Sequence, residues 1–213
     1  MKIVFYSTNS NLYNCEDFET KTIPSCASRW DLLAEEYSEH EFYVLTQLPG
    51  IFMLDLQKEN VVKSKNVKYI ISKKESAEDI AEEIISIQPD LVIASTFYVT
   101  PYDWLPVKDA MIADILREKN INVISNPTST CLTCFDKFRT SQFLKSHNFK
   151  VPNSVYVHHE LFWCERGHKE VKVNVYKEYV FSEIQKLHYP VIIKDTVGLS
   201  SCKMEVLPTY KSA

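Results

Sequence analysis

Short apolar segments alternate with helical segments along the first 125 residues, and this order permits few folds. The segment at 91–95 is continuously apolar, as strands buried in parallel sheets are. Parallel strands need crossover connections, so helices between strands predict a parallel sheet with helices on both faces. The predicted strands are residues 2–7, 41–46, 66–72, 91–95 and 121–125.

Three helices are predicted between these strands. Ser28 and Ser76 are candidate caps for the first two, because a serine hydroxyl accepts hydrogen bonds from amides of the first helical turn. The helix after Ser76 has a clear apolar side opposite a row of acidic residues. The third helix, residues 107–119, has an apolar side that includes Met111.

Polar residues follow several of the predicted strands, at residues 6–8, 94–96 and 125–128. In parallel sheets, ligands bind beyond the carboxyl ends of the strands. These hydroxyl-rich ends suit a small substrate. The alternative is that the hydroxyl groups simply cap the helices that follow.

The pattern changes near Asn126, which predicts two domains, residues 1–125 and 126–213. In the second, the pattern predicts a helix at 136–148 with Phe138, Phe143 and Leu144 facing inward. It then predicts a small α+β arrangement, with an insertion or hairpin in its middle. The further predicted elements are a strand at 154–158, an insertion or hairpin at 159–176, a helix at 179–187, and strands at 188–195 and 203–207.

Composition excludes several classes of protein. The chain has only three glycines, which rules out the GxGxxG and Walker A loops. A net charge of -4 argues against a general nucleic-acid surface. No apolar run reaches the roughly 18 residues of a membrane-spanning helix, and no signal peptide is evident, so we expect a cytoplasmic protein without a membrane partner.

The six cysteines are then expected to be reduced thiols. Cys131 and Cys134 form a single CxxC with no second pair, whereas a structural zinc site needs four ligands. We therefore expect no metal site here and interpret these cysteines as ordinary packing residues.

Two lysines, Lys137 and Lys194, lie in settings that suit a phosphate contact. Lys137 stands at the start of a predicted helix. Lys194 ends a predicted strand and precedes a loop of small residues at 198–201, whose backbone N–H groups could approach an anion. The alternative is that both are ordinary exposed charges, as most lysines are.

Two blocks of sequence carry a resemblance to a known family. The first block runs NINVISN at 120–126, DKFRT at 136–140 and LKSHNFKVP at 144–152. The second block is YPVIIK at 189–194, followed by GLSS at 198–201. In this order and at this separation, they resemble the ATP-grasp superfamily, most closely its D-alanine–D-alanine ligase branch. Residues 1–125 are compatible with the α/β domain that precedes ATP-grasp in these enzymes.

The resemblance implies a function and a set of site residues. Lys137 and Lys194 would contact the phosphates of ATP, and Gly198, Ser200 and Ser201 would belong to the loop that closes over them. The implied reaction is ATP-dependent ligation of a small-molecule carboxylate to an amine through an acyl-phosphate. Mg²⁺ is expected to bridge the phosphates, but no catalytic residue and no metal ligand can be named from this sequence.

The chain also departs from the family pattern. Asp195 follows Lys194 where the family has proline, and Cys202 and Lys203 stand where a second glycine is expected. The stretch 96–103 lacks the glycine of the D-alanine ligases, and the adenine hinge and the distal magnesium-binding residues are not seen. We therefore expect the amino-terminal portion of a ligase, inactive by itself and able to form a homodimer. One alternative is a non-catalytic nucleotide- or small-ligand-binding α/β protein. The other is an unrelated α/β binding module in which the two lysines match the family pattern by chance.

Overall fold

The computed structural model describes residues 1–8, 27–47, 64–95, 105–197 and 204–212. The contacts divide the chain into two compact units, Met1–Leu132 (unit 1) and Thr133–Ala213 (unit 2). The predicted division of the chain into two domains, residues 1–125 and 126–213, stays a prediction. In the described parts of the chain, no helix is both long and apolar enough to cross a membrane.

Unit 1 is built on a five-stranded parallel sheet. Its strands are β1 (Lys2–Ser7), β2 (Glu41–Thr46), β3 (Val67–Ile71), β4 (Leu91–Ala94) and β5 (Val123–Ile124). Its helices are α1 (Ala27–Glu36), α2 (Ala77–Ser86) and α3 (Leu105–Glu118), and α4 (Thr128–Phe135) follows β5. The strand order is β3-β2-β1-β4-β5, so the first strand lies at the centre. The predicted α/β fold with a parallel sheet is confirmed.

Alternation along the strands explains why helices cover both faces. Successive side chains of a strand point to opposite faces of its sheet. In β1, Val4 belongs to a buried cluster that includes residues of α2 and α3. Its neighbour Ile3 belongs to a second cluster that includes Ala34 of α1. Each face therefore has a core of its own.

The helix predictions for unit 1 are largely correct. Ser76 caps α2, since its hydroxyl accepts a hydrogen bond from the Asp79 amide at 3.0 Å. Ile80 and Ile84 of α2 are fully buried, as the apolar side predicted. The prediction for Ser28 was wrong, because α1 begins at Ala27 and Ser28 lies inside it. Met111 of α3 is exposed rather than buried.

Unit 2 contains short helices and a two-stranded sheet. After the end of α4 it comprises α5 (Lys137–Ser146), α6 (His159–Phe162), α7 (Cys164–Gly167), α8 (Val175–Ile184), β6 (Val191–Ile193) and β7 (Glu205–Leu207). A 3-10 turn follows at Tyr210–Ser212. β6 and β7 are antiparallel, with Ile192 opposite Val206. Among the described residues of unit 2, the buried apolar ones are Val180 and Leu207.

Several predictions for unit 2 were wrong. The described residues 151–158 contain no strand, and helices α6 and α7 stand at 159–167, which excludes the hairpin alternative for 159–176. The hairpin prediction rested on three alternating valines, but Asn174 caps α8 by accepting from the Lys177 amide, so the chain turns into a helix at Val175. The Phe143 side chain is 52% exposed rather than inward.

Candidate functional site

Lys137 lies at the first position of α5 because Asp136 caps that helix. One carboxylate oxygen of Asp136, Oδ1, accepts hydrogen bonds from the amides of Phe138 at 2.8 Å and Arg139 at 3.0 Å. An aspartate in extended conformation before a helix is a favoured cap, since it satisfies amides that have no partner inside the helix. The Lys137 side chain is therefore attached to a well-defined helix start, and the residue is half-buried.

The segment that follows Lys194 is hydrogen-bonded to this same helix start. The backbone amide of Lys137 donates to the carbonyl oxygen of Thr196 at 2.8 Å. Asp136 and Val197 form an isolated antiparallel bridge. Thr196 is two residues beyond Lys194, so their Cα atoms are at most about 7 Å apart. The structure thus brings the two predicted lysine segments, 57 positions apart in sequence, into one region of unit 2.

Lys194 directly follows the last residue of β6, and its side chain is exposed. The antiparallel pairing of β6 with β7, from Val191 opposite Leu207 to Ile193 opposite Glu205, holds the end of β6 in place. A lysine at this position can extend its flexible stem to an anion while its backbone remains in the sheet. The predicted loop residues Gly198, Ser200 and Ser201 lie outside the described residues.

The start of α5 is closed to an anion. Helix N-termini can bind phosphate through amides that have no intrahelical partner. In α5 the amide of Lys137 donates to Thr196, and those of Phe138 and Arg139 donate to Asp136. A phosphate bound here would therefore be held by side chains rather than by the amides of this first turn.

The described residues form no preformed metal-binding cluster. Within the ranges that the structure describes, no group of three or more His, Cys, Asp or Glu side chains is placed to hold a metal ion. Mg²⁺ in nucleotide sites usually keeps several waters and is held by one or two carboxylates together with the substrate phosphates. No metal ligand is assigned among the described residues.

Polar residues at the strand ends of unit 1 form hydrogen bonds with Asp109 of α3 and with each other. The Thr8 amide and hydroxyl both donate to Asp109 Oδ1 of α3, and the Tyr6 hydroxyl donates to the Asp109 carbonyl. Ser95 donates to the Tyr6 carbonyl from both its amide and its hydroxyl. Burial, followed by the Asp109 carboxylate, raises the pKa of Tyr6 above its ordinary value.

Asp109 was missed from the sequence, although it is buried where strand order reverses between β1 and β4. This is the position at which open α/β sheets commonly bind ligands. The available signal was its spacing, because Asp109 lies seven residues before Leu116 and therefore on the same side of the predicted helix. Ser125 and Thr128 are also engaged, because the Arg117 guanidinium donates to the Ser125 carbonyl and Asp114 accepts from the Thr128 amide at 2.9 Å.

A second polar cluster lies in unit 2 around Trp163. The Arg166 guanidinium stacks on the Trp163 ring at 3.6 Å, and Lys177 Nζ lies 4.2 Å from the ring centroid. Lys177 also pairs with Glu165 at 2.6 Å, beside an open cavity of about 300 Å³. The Lys177 ammonium, and then the Asn174 amide, lower the pKa of Glu165 to about 2. These contacts hold α7 against α8.

The chain is similar to several solved structures. Over 99% of its length it matches 38% of the biotin carboxylase domain of 2-oxoglutarate carboxylase from Hydrogenobacter thermophilus, in complex with MgADP, ADP and bicarbonate, at 14% identity and a TM-score of 0.54. It matches 43% of N5-carboxyaminoimidazole ribonucleotide synthetase from Thermotoga maritima (100% of this chain, 14% identity, TM-score 0.50). It also matches 39% of an L-amino acid ligase from Bacillus licheniformis (99% of this chain, 15% identity, TM-score 0.51).

These neighbours are ATP-grasp enzymes, and this chain has the α/β fold of their amino-terminal portion. At such low identities the likeness establishes the fold alone. The chain spans about two fifths of the length of these neighbours, from 38% to 43%. No protein-family model matches the sequence, and no curated protein matches it.

Proposed function

We propose that this chain is the amino-terminal, nucleotide-binding portion of an ATP-dependent carboxylate–amine ligase. The observation that carries the proposal is the bond between the Lys137 amide and the Thr196 carbonyl, which joins the two lysine segments in unit 2. Two ammonium groups based on neighbouring backbone segments can approach one polyanion from different directions. The ATP-grasp fold of the chain and the ADP complex of one neighbour support ATP as that polyanion.

The proposed chemistry assigns one role to both lysines. A carboxylate oxygen of the substrate attacks the γ-phosphorus of ATP, ADP departs, and an acyl-phosphate forms. An amine then attacks the acyl carbon and inorganic phosphate leaves. Lys137 and Lys194 would orient the phosphates and offset the charge that moves onto the departing ADP, which is how proteins mainly accelerate phosphoryl transfer. Mg²⁺ bound to the phosphates would supply further positive charge for this transfer.

The narrower version of the proposal is a D-alanine–D-alanine ligase-like enzyme, supported by the order of the two sequence blocks. The proposal also includes inactivity of this chain alone, since it spans only two fifths of its structural neighbours. Homodimer formation is a further expectation, and light scattering on the purified chain tests it. A monomer at all concentrations would contradict that expectation without affecting the nucleotide site.

Isothermal titration calorimetry with ATP and Mg²⁺ tests the nucleotide site. Hydrogen bonds to charged groups contribute about 1.5–3 kcal/mol, so Lys137→Ala and Lys194→Ala should each weaken ATP binding by about 10- to 150-fold. Lys145→Ala is the matched control, because Lys145 is an exposed lysine in the last turn of the same helix. Its effect should stay within about twofold, as for most surface substitutions.

Two outcomes would contradict this assignment. One is ATP binding that survives in the Lys137→Ala/Lys194→Ala double variant. The other is equal weakening by Lys145→Ala, which would show that any positive charge on α5 suffices.

A second candidate function is non-catalytic binding of a nucleotide or another small anion. The observation in its favour is that the described residues offer no metal-binding cluster. Titrations with and without Mg²⁺ separate the candidates. Binding of equal strength in both conditions, with dependence on both lysines, would favour the non-catalytic protein.

A further inference from the structure

Asp136 makes three kinds of contact at the point where the two lysine segments meet. Its side chain caps α5 through the amides of Phe138 and Arg139. Its carbonyl oxygen accepts from the amide and the hydroxyl of Thr140, each at 2.9 Å. Its backbone forms the antiparallel bridge with Val197. A single residue therefore links the start of α5 to the segment that follows Lys194.

Charge alone would disfavour an aspartate at this position. If Lys137 and Lys194 bind a polyanion, a half-buried carboxylate adjacent to Lys137 repels the same ligand. The carboxylate also occupies two amides that could otherwise bind a phosphate. An electrostatic view thus predicts that removal of Asp136 should strengthen anion binding.

We propose instead that Asp136 is a positioning residue for the nucleotide site. Its side chain fixes the backbone at the helix start, and the bonds from Asp136 and Lys137 to residues 196–197 carry this order to the segment that follows Lys194. Without the cap, the first turn of α5 would fray, the bond between Lys137 and Thr196 would weaken, and the two lysines would lose their common geometry. This inference rests on the proposed function.

Two substitutions separate positioning from charge. Asn is as good a helix cap as Asp but is neutral, whereas Ala is a poor cap. Asp136→Asn should therefore keep the order of the site and bind ATP within about twofold of the unsubstituted chain, or more tightly. Asp136→Ala should weaken ATP binding at least fivefold, although it removes the same negative charge.

Amide hydrogen exchange gives a readout that needs no nucleotide. In Asp136→Ala, the amides of residues 137–139 and 196–197 should exchange at least tenfold faster, and in Asp136→Asn they should stay close to the original rates. Ser76→Ala is the matched control, because it removes the cap of α2 in unit 1. It should leave both the exchange of these residues and the binding of ATP unchanged.

The outcomes distinguish this inference from the proposed function. Equal or tighter ATP binding by Asp136→Ala than by Asp136→Asn, or unchanged exchange at 196–197, overturns the positioning role while the lysine results stand. Absence of ATP binding by the unsubstituted chain, or full binding by both lysine variants, overturns the proposed function and this inference together. If Asp136→Ala fails to fold, Asp136→Gly replaces it, because glycine lacks the carboxylate and is a weaker cap than asparagine but a better one than alanine. Its ATP binding should then be weaker, and its exchange at 196–197 faster, than in Asp136→Asn, and equality with Asp136→Asn overturns the positioning role.

Discussion

Replacing Ile84 by alanine removes three carbon atoms from the centre of the unit 1 core. Ile84 is fully buried on α2, in the cluster that contains Val4 and Ile112. The loss of buried area is worth about 0.8 kcal/mol per carbon, or about 2.4 kcal/mol. The residual cavity raises the expected loss of unfolding free energy to about 3 kcal/mol. With an m-value of about 2 kcal/mol/M in urea, the unfolding midpoint should fall by about 1.5 M.

The matched control for this substitution is Ile124→Ala, the same change at a side chain that is 58% exposed in the same unit. It should cost less than about 1 kcal/mol, because half of its surface is already in water. Urea unfolding followed by circular dichroism gives the free energies, and hydrogen exchange locates them. For Ile84→Ala, the faster exchange should be found in Met1–Leu132, since the buried cluster that contains Ile84 lies entirely in unit 1.

Two results would refute the reasoning behind Ile84→Ala. Equal losses from the buried and the exposed isoleucine would show that burial does not determine the cost. Equally faster exchange in both units would show that they unfold as one cooperative body, against the division seen in their contacts.

Three further substitutions test individual contacts. Because the pKa of Glu165 is lowered, its ionised form contributes stability above its ordinary pKa of 4.5, and this contribution should be lost as pH falls from about 4.5 to about 2. The Glu165→Gln variant should lack that loss in an acid-unfolding titration. An acid-unfolding profile equal to that of the unsubstituted chain would contradict the pairing with Lys177. Ser76→Ala should lower the unfolding free energy by about 1 kcal/mol in urea titrations, through loss of the cap of α2; no change would mean that the bond to the Asp79 amide adds nothing. Phe138→Leu should remove the stacking on Tyr156, whose ring centroid is 4.6 Å away, and speed hydrogen exchange at 151–158; unchanged exchange would show that the stacking does not order that segment.

The fold of the first 125 residues could be predicted because its signals are local. A continuously apolar strand and a helix with one apolar side can each be recognised from neighbouring residues. Helices that connect successive strands then predict a parallel sheet. Ser76 was predicted correctly for the same reason, since a cap acts within three residues. Ser28 failed because Ala27 already lies inside α1, and helix boundaries are weakly specified by local sequence.

The parts that could not be predicted depend on contacts between distant residues. Residues 159–176 look strand-like through their valines, but the stacking around Trp163 and the cap at Asn174 favour helices instead. For the candidate site, the sequence predicted only which residues take part, from two blocks whose order resembles that of a known family. That the amide of Lys137 meets Thr196 follows from tertiary pairing, which no spacing in the sequence reveals.

The position of β1 at the centre of the sheet has a consequence for truncated forms of the protein. β1 is hydrogen-bonded to β2 on one side and to β4 on the other, so it is the sole link between β2–β3 and β4–β5 in the described sheet. Proteolytic loss of residues 1–8, or initiation at a downstream codon, would leave two two-stranded ribbons without hydrogen bonds between them, and such ribbons are marginal in water. Removal of a short amino-terminal peptide would therefore strongly destabilise unit 1.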